Sequence, residues 1–340
     1  MEIQFNQLNY VPADASVNLS DFEFRPLKDK ATFLNENYYQ TNFMHAKIDS
    51  ISLNQLNVKR FIEDSVIHLS SINLSAPNLE IDRDKTHPFF STAVKLLPTN
   101  AFQKIGMKFK VDTLRVSDGK IKYTEKSRVT GKEGSIYFTK LQGLVTNVKN
   151  TDLVTNDSLY IYANTRFLDS AKVVLRVKES YHDTLAGFFL STYVSPFHTS
   201  ILNNALIPMV AVEFQSGYID TLQMRAIGRE YLSLGTMKFL YKDLKVNFLD
   251  KNDTARHSVK NQLLKLAANT FVIRSNNRKR IGTLYYERDR NRAVFQYWVK
   301  MILSGATTSV GVKSNKKQIK KYKKELNQKR LPSIDGNFKL

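Results

Sequence analysis

Residues 111–126, VDTLRVSDGKIKYTEK, alternate apolar and polar side chains on both sides of a single Asp-Gly, and this pattern constrains the fold more than any other in the chain. A period of two is the mark of a β-strand with one face buried. Asp-Gly is a tight-turn dipeptide, so the stretch predicts a hairpin turning at Asp118-Gly119, with Val116 opposite Ile121 and Leu114 opposite Tyr123. Arg115 and Lys122 would then meet on the other face. Two like charges side by side cost little only where water screens them, so that face is solvated.

The unit recurs. KIDSISL (47–53), KVDTLRV (110–116) and YIDTLQM (218–224) share an apolar residue, Asp, Ser or Thr, and then apolar residues two apart, with a weaker echo in NDSLYIY (156–162). Unequal spacings exclude a solenoid of fixed period. KVDTLRV switches parity at Asp112-Thr113, which predicts a bulge there. Between the copies lie SVIHLSSINL, PNLEIDRD, GSIYFTKLQGLVTNV, SLYIYANTRF, AKVVLRVKES and LAGFFLSTYV, rich in β-branched and aromatic residues and broken by Asn, Asp, Gly or Pro. The reading is mainly β and antiparallel. Residues 231–249 predict one or two long strands, and 89–106 and 196–210, punctuated by proline, short helices or loops.

After Asp250 the period changes to that of a helix. Val259, Leu263, Leu266 and Ala267 have helical spacing within 257–271, and Val294, Trp298, Met301, Ile302 and Gly305 trace one face of a second helix over about 291–310. The division expected is a β-rich domain over 1–250, a helical and strand cap over 251–312, and a basic, flexible tail over 313–340.

The 340 residues suffice for a large core. Absence of cysteine excludes disulfides, thiolate catalysis and sulfur-ligated metals, and fits an oxidising envelope or the cytosol equally. No run of about 18 apolar residues would span a bilayer, and the start lacks the pattern of a signal peptide. Either the chain is cytosolic or Met1 lies downstream of the true start of a longer protein. Of the net charge of +20, Arg274–Leu340 carries +14, so the basicity belongs to the carboxy-terminal end and suits an anionic surface.

Catalytic patterns are weak. The six histidines are scattered without metal-ligand spacing. The tightest ionisable cluster, KESYHD, offers Glu179, His182 and Asp183 as metal ligands or proton carriers, but it follows a strand and reads as a polar turn. SGATTSVG lacks the Gly-Lys-Ser/Thr of a phosphate loop, and there is no Gly-x-Ser-x-Gly elbow. Neither a catalytic centre nor a cofactor is expected.

KVDTLRVSDGKIKYTEK, preceded by KIDSISLNQLNVKRFIEDSVIHLSSINLSAPNLEIDRDK and followed by YIDTLQMRAIG, resembles the AsmA-like family of bacterial envelope proteins, relatives of the TamB type, over roughly residues 45–310. The resemblance implies an elongated, curved antiparallel sheet whose apolar face is an open groove for phospholipid acyl chains, with one or two amphipathic helices at the carboxy terminus. It also implies a membrane-anchored amino terminus, which this sequence does not show, so a carboxy-terminal portion of a longer protein is expected. The family brings no catalytic residues.

On this reading the groove is lined by Ile48, Ile51, Leu53, Leu114, Val116, Ile121, Tyr123, Ile219, Leu222 and Met224. The contacts expected with an anionic membrane on the periplasmic side of the envelope are Arg288, Arg292, Phe295, Trp298, Lys300, Met301 and Ile302, because aromatic rings settle at headgroup depth and cations find anionic lipid. Other envelope proteins are possible partners. The competing reading is a cytosolic β-sandwich adaptor whose tail, through Lys316, Lys317, Lys320, Lys321, Lys323 and Lys324 with Tyr322, binds nucleic acid or an acidic protein.

Overall fold

The computed structural model describes residues 1–183, 186–249, 273–312 and 314–327. Among them, fifteen strands form one hydrogen-bonded sheet. In chain order they are β1 (Glu2–Gln4), β2 (Gln7–Val11), β3 (Ser16–Arg25), β4 (Asn42–Asn54), β5 (Val66–Ser75), β6 (Asn78–Asp84), β7 (Lys108–Lys126), β8 (Glu133–Lys149), β9 (Ser158–Phe167), β10 (Ala171–Ser180), β11 (Phe188–Val194), β12 (Phe197–His198), β13 (Val212–Gly228), β14 (Leu232–Phe248) and β15 (Ile281–Glu287). The helices are α1 (Lys30–Glu36), α2 (Val58–Asp64), α3 (Pro98–Gln103), α4 (Asn203–Val210), α5 (Val294–Ser309) and α6 (Lys316–Asn327). The sheet runs β1-β3-β4-β5-β7-β8-β9-β10-β11-β13-β14-β15, with β2 against β3, β12 against β13, and β6 between β4 and β7. The helix expected over 257–271 lies outside the described residues.

The hairpin expected at Asp118-Gly119 does not form. Lys108–Lys126 is one strand, and Asp118, with φ of 52°, sits at a bulge where the register to β8 shifts between Val116 and Ile121. Leu114 and Tyr123 are therefore successive positions along one strand. Leu114 lies between Ile72 and Val145, and Tyr123 between Ile81 and Ile136. Arg115 and Lys122 do not meet; their neighbours are Asn73 and Leu144 for the first, Glu80 and Tyr137 for the second. At Gly119 space is tight, since a Cβ there would stand 3.1 Å from Val116 and 3.3 Å from Pro77 and Leu141.

The sheet is mixed, not purely antiparallel. β5 and β6 follow one line along β4, broken at Ala76-Pro77, and both pair with β7 in parallel. Parallel neighbours need a crossover, and residues 85–107, including α3, supply it. That crossover returns across the sheet: Leu97 and Thr99 are buried, and Lys95 N–H donates to Arg290 O beside α5.

The edge at β15 is closed by side chains. Ser304 Oγ bonds both backbone groups of Tyr285, and Thr308 Oγ1 and Asn315 Nδ2 donate to Thr283 O at 2.9 and 2.8 Å. Outward-facing groups that could template another strand are thus satisfied from α5 and the start of α6. Replacing Asn315, fully buried, by Ala is expected to cost about 1 kcal/mol, measured by urea unfolding, since it removes the hydrogen bonds to Thr283 O and Ser304 Oγ while Thr308 still satisfies that carbonyl.

Candidate functional site

Register relations carry one apolar row across eleven strands: Val17, Leu53, Ile72, Leu114, Val145, Ile161, Val177, Leu190, Ala226, Gly235 and Leu284. Two residues along each strand a second row passes through Leu19, Ile51, Leu74, Val116, Gly143, Ala163, Leu175, Thr192, Met224, Met237 and Gly282. Between them, pointing the other way, lies Asn18, Ser52, Asn73, Arg115, Leu144, Tyr162, Arg176, Ser191, Arg225, Thr236 and Thr283. Period-two alternation thus separates an apolar face from a polar one across almost the whole sheet. On the polar face Arg176 stacks over Tyr162 at 5.5 Å.

The apolar face is unevenly covered. In the half formed by β10, β11, β13, β14 and β15, Val177, Leu190, Met224, Ala226, Met237 and Leu284 are buried in one cluster with Leu97 of the crossover and Tyr297 and Met301 of α5. In the half formed by β3, β4, β5, β7 and β8, every apolar member of both rows is half-buried. The face continues under thinner cover: Leu53, Ile72, Val145 and Ile161 pack against a second, smaller cluster of Leu69, Val111, Val148, Leu159 and Tyr181, while Ile51, Leu74, Leu114 and Val116 belong to neither cluster.

Of the Asp-Ser/Thr units, YIDTLQM coincides with a register shift, whereas the bulge expected at Asp112-Thr113 is not seen: the register there, as at Asp49-Ser50, is unchanged. The β13–β14 register shifts between Ile219 and Thr221, and Ile219 and Leu222, three apart, enter the same core. In β7 the pairing passes from Val111↔Val148 to Thr113↔Thr146 across Asn147, which has φ of 64°. Val111 then shares a cluster with Ile72 and Val145, the cross-strand neighbours of Leu114. Opposite Asp49, Asp21 has φ of 52° between the pairs Ser20↔Ser50 and Phe22↔Ile48.

Of the residues expected to line a groove, Ile51, Leu53, Leu114 and Val116 come together in the half-buried rows. Ile121 and Tyr123 lie past the bulge, beside Leu79 and Phe138 and beside Ile81 and Ile136, and Ile48 pairs with Phe22. Ile219, Leu222 and Met224 belong to the covered core, so they line no open surface. The rows add Val17, Leu19, Ile72, Leu74 and Val145, whose alternation in SVNLSDF, SVIHLSSINL and GSIYFTKLQGLVTNV was the available signal.

The residues expected at a membrane separate likewise. Met301 is 0% exposed against the sheet, Trp298 and Ile302 pack around the same core, and Arg288 is buried, donating to Glu230 O and Lys95 O. A stripe at helical spacing serves packing here, so Met301 and Arg288 are unavailable to headgroups. Phe295, at 57%, and Leu303, at 48%, are the exposed apolar residues of α5. Arg292 covers the Phe89 ring, and Lys300 is exposed. Within the basic tail, Lys316–Asn327 is helical, and Tyr322 is buried on Leu232, leaving Lys316, Lys317, Lys320, Lys323 and Lys324 outward. No described helix is long and apolar enough to cross a membrane.

The KESYHD side chains diverge. Glu179 accepts from Thr99 N–H at 2.9 Å and Thr99 Oγ1 at 2.6 Å, His182 meets Val154 O, and Asp183 pairs with Arg229 at 3.2 Å. Burial pushes the Glu179 carboxyl up to about 7, against the Thr99 hydrogen bonds and the Arg288 charge. Its acceptor role holds the crossover to β10. No protein-family model matches the chain, and no curated protein is similar to it.

Proposed function

We propose that this is a non-enzymatic, AsmA-like lipid-binding protein of the bacterial cell envelope, in which the half-covered apolar face takes phospholipid acyl chains. The observation that carries the reading is the continuation of two apolar rows from a sealed core into a half-buried surface. Apolar area left in water costs about 25 cal/mol per Å², so such a surface calls for a hydrocarbon cover. Acyl chains fit because the rows are long, lack charge and run across many strands.

Left-handed residues recur at one level of neighbouring strands, at Asp21, Ala76, Asp118 and Lys140, followed by Asp169 beyond β9. Of these, Asp118 and Lys140 coincide with register shifts, between β7 and β8 and between β8 and β9, and bulges on neighbouring strands would bend the sheet towards a trough. The exposed lysines of α6, held by Tyr322, would face an anionic membrane, placing the protein on the periplasmic side as a peripheral component. The cytosolic adaptor reading draws on the same lysines but leaves the apolar rows without a role.

Leu114 and Val116 test this directly. Gently purified protein is expected to carry phospholipid in native mass spectrometry, and the Leu114→Asp/Val116→Asp variant to lose it while keeping its circular dichroism. Arg115→Asp, on the opposite face, should retain lipid. Wild-type protein that is lipid-free and also ignores liposomes contradicts the proposal.

A further inference from the structure

Beyond the Asp118 bulge, the trough face changes character. Arg83 stands opposite Glu125, and Ile81 opposite Tyr123. Glu125 is buried, accepts from Tyr123 Oη at 2.9 Å, and lies 2.5 Å from Lys85 Nζ. Helix α5 and its lead-in bring two more cations to this place. Lys300 is within electrostatic reach of Lys85, Arg292 and Glu125, and Tyr123 within reach of Arg83 and Arg292. The Arg292 guanidinium is fixed over Phe89, 3.1 Å from the ring centre, and pairs with Asp289 at 3.4 Å.

Lys85 thus pairs with the buried Glu125, Arg83 is that glutamate's neighbour across the strands, and the charges of Lys300 and Arg292 act on the same group of residues. Glu125 is taken by Lys85 and Arg292 by Asp289, while Arg83 and Lys300 have no ion-pair partner among the described residues. Although Lys300 is exposed to solvent, partial desolvation by the groups around it, and then repulsion from Lys85 and Arg292, lower its pKa, with Glu125 opposing. Such a convergence works against folding, and a bound anion would relieve it. Apolar groups adjoin it: Phe138 pairs with Ile121 and meets Phe295 of α5 edge-on at 6.4 Å.

We propose that Lys300, Arg83, Lys85 and Arg292 form an anion site at the end of the trough that takes the phosphate of a phospholipid headgroup. Ile121, Tyr123 and Phe138 lie where the first part of the lipid tail would follow. The site rests on the trough reading for its ligand, though phosphate chemistry alone would also suit free phosphate.

Binding is followed by isothermal titration calorimetry. The full chain is titrated with dihexanoylphosphatidylglycerol, dihexanoylglycerol and inorganic phosphate. The expected result is saturable, salt-sensitive binding of the phospholipid, weakened about tenfold in Lys300→Gln and in Arg83→Gln, with dihexanoylglycerol weaker and unaffected by either change. Because Lys300 is exposed, Lys300→Gln should unfold near the wild-type temperature, so lost binding would not reflect misfolding. Inorganic phosphate binding as tightly as the lipid would support the anion site and overturn the trough as its context. Equal binding of both lipids, unchanged in Lys300→Gln, would overturn the anion site and leave the trough standing. No binding of any probe would overturn both.

Discussion

Replacing Gly305 by valine is expected to destabilise the protein by about 3 kcal/mol and to loosen α5 from the sheet. A Cβ at Gly305 would lie 2.8 Å from Met237 Cβ and 3.0 Å from its Cε, and Met237 is fully buried beneath the helix. Gly282 makes the reciprocal demand on β15, where a Cβ would come within 2.5 Å of Gly305 O. The two glycines set how closely helix and sheet approach. Alanine at 305 would regain about 1 kcal/mol of helix propensity against the clash, so its cost should be smaller than that of valine, which has weak propensity and more bulk. Urea unfolding of the three proteins gives the order glycine, alanine, valine from most to least stable. Valine tolerated without loss would mean that α5 does not seal the covered half.

Glu179→Gln is expected to remove a pH dependence worth about 3 kcal/mol. An ordinary glutamate titrates near 4.5, whereas Glu179 in the folded protein holds its proton up to about 7. Between these values the folded state binds more protons than the unfolded state. Its contribution is complete below pH 4.5, declines as pH rises, and is gone above about 7. Glutamine keeps an oxygen to accept from Thr99 and never ionises. At pH 8 the variant should therefore be the more stable protein, and near pH 4 the two should agree. Denaturant midpoints across this range measure the difference. A variant less stable than wild type at pH 8 would show that the charge on Glu179, facing Arg288, is a net support for the crossover.

Alternation made the sheet and its two faces legible, because a period of two has one structural meaning when it persists over many segments. Where chain direction changes it has none. Asp118-Gly119 has the chemistry of a hairpin turn, yet a left-handed Asp serves a bulge equally well, and the long pairing of β7 with β5, β6 and β8 decides between them. The parallel pairing was hidden for a related reason, since residues 85–107 look like any loop until their buried Leu97 and Thr99 reveal a crossover. In the site, Leu114 and Val116 were readable as apolar-face residues, but Met224, on the same row as Val116, was not distinguishable as covered. Cover comes from α5 and the crossover, which are remote in sequence. Met301 shows the same limit from the helix side, since its stripe suits a sheet as well as a bilayer. Tyr322 had no periodic partner to announce that part of the lysine-rich tail would dock.

Adjacent residues Arg115 and Val116 point to opposite faces, and that single-residue step offers the sharpest measurement. A photoreactive benzoylphenylalanine placed at each position in turn, irradiated in cells and analysed by mass spectrometry, should give phospholipid adducts at 116 and none at 115. Equal labelling at both, or only protein adducts at 116, would contradict the account.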